Sequence, residues 1–229
     1  MSEFSTRPEI LKLARVLSVG PERFAYLENV DPEDLKRLRG QVTDTLFDAN
    51  LAVLQRMALA SRLLPVPLLA KIGEKVFGPL LCARIAGVID ASRGVDVAKR
   101  LPTGYLADVA VELDPRRASA IISGIPLKAV VDVAAELTRR EDWITIGRFV
   151  GHLADRTVVA CLDVMPDVAL LQVAFVLDDK SRLDHVIGLL PPQRLPGVLR
   201  AAADHDLMPL AEDLLAHLSP AHRARFPLH

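Results

Sequence analysis

A four-position apolar pattern recurs six times along this chain, and it leaves few folds open. Positions x, x+3, x+4 and x+7 share one face of a two-turn helix. They read Cys82, Ile85, Ala86 and Ile89, then Leu106, Val109, Ala110 and Leu113, then Val130, Val133, Ala134 and Leu137. They recur as Val158, Cys161, Leu162 and Met165, as Leu183, Val186, Ile187 and Leu190, and as Ala211, Leu214, Leu215 and Leu218. The closing residues Ile89, Leu113, Leu137, Met165, Leu190 and Leu218 lie 24, 24, 28, 25 and 28 residues apart. A cap or breaker follows each at once: Asp90, Asp114, Thr138, Pro166, Pro191 and Ser219. After most breakers a second helix is legible, as in Ala118, Ile121, Ile122 and Ile125, or Leu195, Val198, Leu199 and Ala202. A fixed period of about 20–50 residues marks a solenoid, because one unit cannot bury its apolar face alone. The pattern predicts an all-α, right-handed α-solenoid or superhelix of short helix pairs with a period of about 24–28. The x+5 column (Gly87, Val111, Ala135, Asp163, Gly188, Ala216) is mostly small, as adjacent units packing closely would require.

Upstream of the repeat, Leu35, Leu38, Val42, Leu46, Ala49, Val53, Met57, Ala60 and Leu64 fall 3 or 4 residues apart. They predict one long amphipathic helix over 32–64, roughly 50 Å at 1.5 Å per residue. Asp31-Pro32 would start it, Pro65 and Pro67 would end it, and Gly40 would weaken it. Two shorter helices, about 7–17 and 21–29, precede it. The chain therefore divides into a helical region, 1–78, and a helical-repeat domain, 79–229, packed as one unit. Asp114-Pro115 and Ser219-Pro220 also read as an N-cap followed by a first-turn proline.

The stretch VDVAKRLPTGYLADVAVELDPRRASAIISGIP, with breaks at Leu101-Pro102, Leu113-Asp114-Pro115, Ile125-Pro126 and Leu190-Pro191, resembles the cytoplasmic N-terminal helical domain of MgtE-type magnesium transporters. The resemblance covers roughly residues 80–220. It implies a string of short helices and a regulatory role in which acidic residues help to sense magnesium. The chain departs from the whole family, having neither membrane spans nor room for a nucleotide-binding module.

Composition narrows the function. Lysine plus arginine number 28 against 29 acidic residues, which disfavours a nucleic-acid surface. Hydrophobic residues make up 51%, yet no apolar run approaches the roughly 20 residues of a membrane span. The N-terminus MSEFSTRPEI has no apolar core of a signal peptide. These features together predict a soluble, cytoplasmic protein without transmembrane segments. Both cysteines, Cys82 and Cys161, fall on the core face and read as reduced structural thiols.

Phosphate loops, dinucleotide fingerprints, nucleophile elbows and HExxH are absent. Asp204-His205-Asp206 is a run of potential ligands, but neighbours on a helix point about 100° apart, so it reads as a solvated connection. Trp143, Phe149 and Phe175 read as core. Position x+2 lies opposite the core stripe and reads Arg84, Asp108, Asp132, Ala160, His185 and Asp213. If units stack in register, this polar row is an interaction surface for another protein, with members roughly 10 Å apart. Asp108 and Asp132 would then be the candidate metal residues for a weak Mg²⁺ site; no other cofactor is implied.

These features favour a non-catalytic helical-repeat protein that binds and regulates or scaffolds another protein. A binder of a small apolar ligand such as a lipid is the first alternative. An enzyme of unrecognised class is the second. A homodimer is expected to use the open C-terminal end, with Leu214 and Leu218 as candidates, because a terminal unit lacks a neighbour.

Overall fold

A computed structural model describes residues 3–226, which form α-helices joined by turns and short 3₁₀ segments, with no strand among the described residues. The first three helices are α1 (Glu3–Val16), α2 (Pro32–Asp48) and α3 (Leu51–Ser61). The expected single helix over 32–64 is thus two. Helical hydrogen bonding stops at Ala49, and Asn50 takes φ −120° and ψ 11°. Asparagine competes poorly in helix interiors because its side chain favours turns. Gly40 causes no break and sits in open space within α2. The interruption also re-aims the second half. On α3 the buried residues are Leu54, Ala58 and Ser61, one position beyond the expected stripe, while Val53 and Ala60 face solvent.

Next come α4 (Val66–Ile72), a π-turn over Gly73–Phe77, α5 (Gly78–Ala86), α6 (Ala91–Ala98) and α7 (Thr103–Glu112). The π-turn ends where Gly78 takes φ 73° and Pro79 offers no N–H to continue it. The chain goes on through α8 (Ser119–Gly124), α9 (Leu127–Arg139), α10 (Trp143–Val150), α11 (Asp155–Asp163) and α12 (Asp167–Phe175). It closes with α13 (Leu183–Leu189), α14 (Leu195–Asp204), α15 (Met208–Ala216) and α16 (Pro220–Arg223). The six pattern units fall on α5, α7, α9, α11, α13 and α15, so every second helix carries the pattern. Aspartates cap α2, α6 and α10, and Ser219 caps α16 as its sequence suggests. Asp114-Pro115 instead opens a turn before α8.

Packing follows the alternation. α5 packs on α7, α7 on α9, α9 on α11 and α11 on α13. A second row runs from α4 to α6 to α8, and again from α10 to α12 to α14. The backbones of α8 and α10 do not approach as the other pairs do. Leu113, Leu137, Met165, Leu190 and Leu218, which close their units, are all buried. Leu214 and Leu218 form part of the C-terminal core with Phe226, so they are not the exposed terminal surface expected for a dimer. The small x+5 residues serve the flanking elements: a Cβ at Gly87 would lie 2.9 Å from the Phe47 ring of α2, and one at Gly188 would lie 3.3 Å from His222 of α16.

Two devices hold the helices in place. The first is a buried charge cluster. Lys12 of α1, 1% exposed, lies 2.6 Å from Glu9 and 2.9 Å from Asp178, which follows α12. Arg39 of α2 binds the same two carboxylates at 3.1 and 3.0 Å. Arg15 grips Asp142 with both terminal nitrogens, at 2.6 and 2.5 Å. The N-terminal helices are therefore fastened to residues far along the chain, at Asp142 and Asp178.

The second device is an arginine fork on the exposed carbonyls at a helix end. Arg148 donates to Val111 O at 3.2 Å and Leu113 O at 2.6 Å. Arg194 donates to Leu162 O and Met165 O at 2.7 and 2.8 Å. Arg225 donates to Ile187 O and Leu190 O at 3.2 and 3.0 Å. Arg223 reaches Leu218 O at 3.1 Å, and Arg93 joins Ser61 O and Leu64 O after α3. A fork of fixed geometry on the negative end of a helix satisfies carbonyls that have no intrahelical partner. Arg148→Met is expected to destabilise the protein by about 1.5–3 kcal/mol, the range for hydrogen bonds from a charged donor. A lower urea midpoint with an unchanged slope would show it.

Candidate functional site

The pattern residues do more than fill a core. Those of α5, α7, α9, α11 and α13 line one apolar seam with a volume of about 250 Å³. The opposite wall comes from residues such as Val97, Ile122, Ile125, Phe149, Leu153 and Leu170. None of the lining residues is charged. Protein interiors are normally close-packed, with few voids larger than a water. Here the seam leaves its walls incompletely covered: Cys82, Ile85, Ile89, Leu106, Val130, Val133, Leu162, Val186 and Ile187 are only half-buried although they occupy core positions. The wide spacing of α8 and α10 gives part of the reason, because Ile125, Ala129 and Val130 then face space rather than a neighbouring helix.

One end of the seam holds a small polar knot. Tyr105 donates to the Gly73 carbonyl at 2.6 Å, and its hydroxyl lies 3.3 Å from the Cys82 sulfur. Gly73 opens the π-turn, a conformation that recurs at functional sites. Burial and the Cys82 thiol push the Tyr105 hydroxyl up, so it stays a neutral donor. Burial also pushes the Cys161 thiol up to about 11, which fits an inert wall residue rather than a nucleophile. Cys82 is raised by burial as well, with the Tyr105 hydrogen bond opposing.

The polar x+2 row is distributed over α5, α7, α9, α13 and α15, and each polar member is engaged within the chain. Arg84 donates to Leu46 O at 2.8 Å, beside the Phe47 ring. Asp108 pairs with Arg140 at 2.5 Å, and Asp132 pairs with Lys128 at 2.7 Å. His185 Nε2 lies 2.9 Å from Asp155, and His217 lies 4.0 Å from Asp213. Arg139 and Arg140 hold the Glu136 carboxyl down to about 2. The two aspartates considered for magnesium thus each have a basic partner of their own. Among the described residues no group of three His, Cys, Asp or Glu side chains is arranged to hold a metal ion. Asp204, His205 and Asp206 are exposed, while Trp143, Phe149 and Phe175 pack against the core clusters.

A second hollow of about 440 Å³ lies between α1–α2 and the α5, α7 and α10 helices. Its lining includes Lys12, Arg15, Arg39, Arg84, Arg116 and Arg117. These cations are spent internally: Arg116 and Arg117 pair with Asp44 and Asp114, and Arg117 stacks on Phe47 with 4.0 Å to the ring centre. The hollow is a lined joint between helices, with Lys12, Arg15, Arg39, Arg116 and Arg117 held by carboxylates and Arg84 by a backbone carbonyl.

The sequence pattern names most of the seam's long wall, because the wall is the pattern. It does not reveal that the seam is open, since a filled core and a cavity use the same residue types. The arginine forks were also missed: Leu113 meets Arg148, 35 residues on, and Met165 meets Arg194, 29 residues on, so no fixed spacing announces them. No protein-family model, no curated protein and no solved structure matches the chain.

Proposed function

We propose that the alternating rows of helices are a right-handed α-solenoid, and that the seam between them binds an extended apolar ligand such as a lipid acyl chain. One observation carries this reading. A cavity of about 250 Å³ runs past five successive units, lined entirely without charge, and its walls remain half-covered. Ligand sites are mostly apolar with a few placed polar groups, and the Gly73–Cys82–Tyr105 knot supplies those at one end. In this reading the protein carries or senses its ligand and performs no chemistry.

A fluorescent fatty-acid analogue tests it. Wild type is expected to bind the probe, and to release lipid into organic solvent when purified from its own cells. Val133→Phe with Ile85→Phe fills the seam with bulk and is expected to abolish probe binding while keeping the helical circular dichroism. Absence of both probe binding and extracted lipid in wild type would end the proposal.

The same groove also fits the protein-interaction reading, since an amphipathic helix of a partner can lay its apolar face into such a seam. A co-purified protein that Val133→Phe expels, in a preparation without lipid, would favour that reading.

A further inference from the structure

The break at Asn50 leaves α3 with an unusual outer face. Its buried side is Leu54, Ala58 and Ser61. On the opposite side, at helical spacing, stand Val53, Arg56, Leu59, Ala60 and, just past its end, Leu63, all exposed. A surface helix normally turns polar residues outward. The α4–α5 corner that follows in the chain also exposes Leu68, Val76 and Leu80, the last of which lines the hollow between α2 and α5, together with Lys71 and Lys75. Leu63 is 86% exposed and Val76 73%. Single exposed leucines need no explanation, but of the twelve exposed large hydrophobic residues among the described ones, Val53, Leu59, Leu63, Leu68, Val76 and Leu80 fall in this one segment.

Charge says what covers them. Residues 49–80 carry Arg56, Arg62, Lys71 and Lys75 against the single acid Glu74, a net +3 in a chain whose formal charge is −1. No candidate membrane span exists among the described helices, so the segment does not cross a bilayer as a helix. Apolar side chains interleaved with cations, and almost no acids, are the composition of a surface that lies in the headgroup layer of an anionic membrane. A second copy of the chain is a poorer occupant, because a two-fold pairing would set this positive face against itself.

We propose that the outer face of α3, together with the α4–α5 corner, docks the protein onto an anionic lipid bilayer. The leucines and valines enter the headgroup boundary while Arg56, Arg62 and Lys71 meet lipid phosphates and carboxylates, joined by Lys75, which pairs with Glu74 at 2.6 Å in the free protein. The surface adjoins the seam, since Leu69, Gly73 and Phe77 of the same segment line its end. Docking stands on α3–α5 alone, however, and holds whether or not the seam carries a lipid.

Flotation with vesicles of phosphatidylcholine, with and without phosphatidylserine, tests the proposal on the full chain. Wild type is expected to float with the phosphatidylserine vesicles at low salt and to be released by added salt. Lys71→Gln with Lys75→Gln is expected to weaken binding about fivefold for each cation removed. Leu63→Glu, at a position 86% exposed, is expected to abolish flotation without changing the circular dichroism. Failure of wild type to float with anionic vesicles at low salt overturns the proposal. So does binding that Leu63→Glu and the lysine pair leave unchanged, or a dimer, seen by light scattering, that Leu63→Glu dissolves while vesicles go unbound. The seam-filling variant separates the two readings: its loss of probe binding bears on the ligand, while its flotation is expected to equal that of wild type.

Discussion

Lys12→Ala is expected to lower the stability of the protein by about 3–5 kcal/mol, the cost of leaving buried carboxylates without their partner. Lys12 is almost wholly enclosed, and it sits between Glu9 on its own helix and Asp178 more than 160 residues away. Removing it leaves Glu9 buried with Arg39 as its remaining cation, which places the effect at the lower end of that range. Urea denaturation at neutral pH measures it, and a loss under about 1 kcal/mol would show that Arg39 alone neutralises the site. Acid titration gives a second readout. Burial pushes the Asp178 carboxyl up, but the charges of Lys12 and Arg39 outweigh that and hold it below the ordinary carboxylate range. A carboxyl depressed in the folded state stabilises the fold above its unfolded value, about 3.9, and that contribution is lost as pH falls through the lowered value. Without Lys12 the depression shrinks, so the variant is expected to unfold at a higher pH than wild type.

Leu137→Ala is expected to cost about 2–5 kcal/mol, through lost burial and the cavity left behind. Leu137 closes the third unit and packs with Ala107, Ile146, Met165 and Val173. Val133, one turn earlier on the same face, lines the seam and is half-buried. Val133→Ala is therefore expected to cost only about 1 kcal/mol, since it removes two partly solvated methyl groups. The contrast is the informative result. Equal losses at the two positions, measured by thermal or urea melts, would mean that the seam is closed and filled in solution.

Much of this architecture is legible in the residues. Repetition of the pattern at Leu113, Leu137 and Leu190 placed three helices and three buried side chains, because periodic burial is set locally by 3.6 residues per turn. What escaped depends on distance. The 32–64 helix failed at Asn50, where a weak local preference was outvoted in a count of apolar spacings. The row from Arg84 to Asp213 kept its chemistry, and Lys128 pairs with Asp132 at the i,i+4 spacing of one helix, but Arg140 and Asp155 meet Asp108 and His185 through packing that spacing does not encode. The seam is the extreme case. Its walls were named and its emptiness was not, because a void is a property of how far helices stand apart.

The arginine forks carry a consequence for the order in which the chain is made. Each fork reaches back from a later unit to an earlier helix end, Arg148 to Leu113, Arg194 to Met165 and Arg225 to Leu190, across 29–38 residues counted over their carbonyl partners. A ribosome adds about 5–20 residues per second, so each helix end waits roughly 1.5–8 s for the side chain that completes it. During that interval the nascent unit has its apolar face and no lock. Synthesis thus runs one unit ahead of consolidation, and a chain stopped early leaves its last completed helix open. The dependence points in one direction, from the newest residues to the older ones, so a nascent chain matures one step behind its own growth.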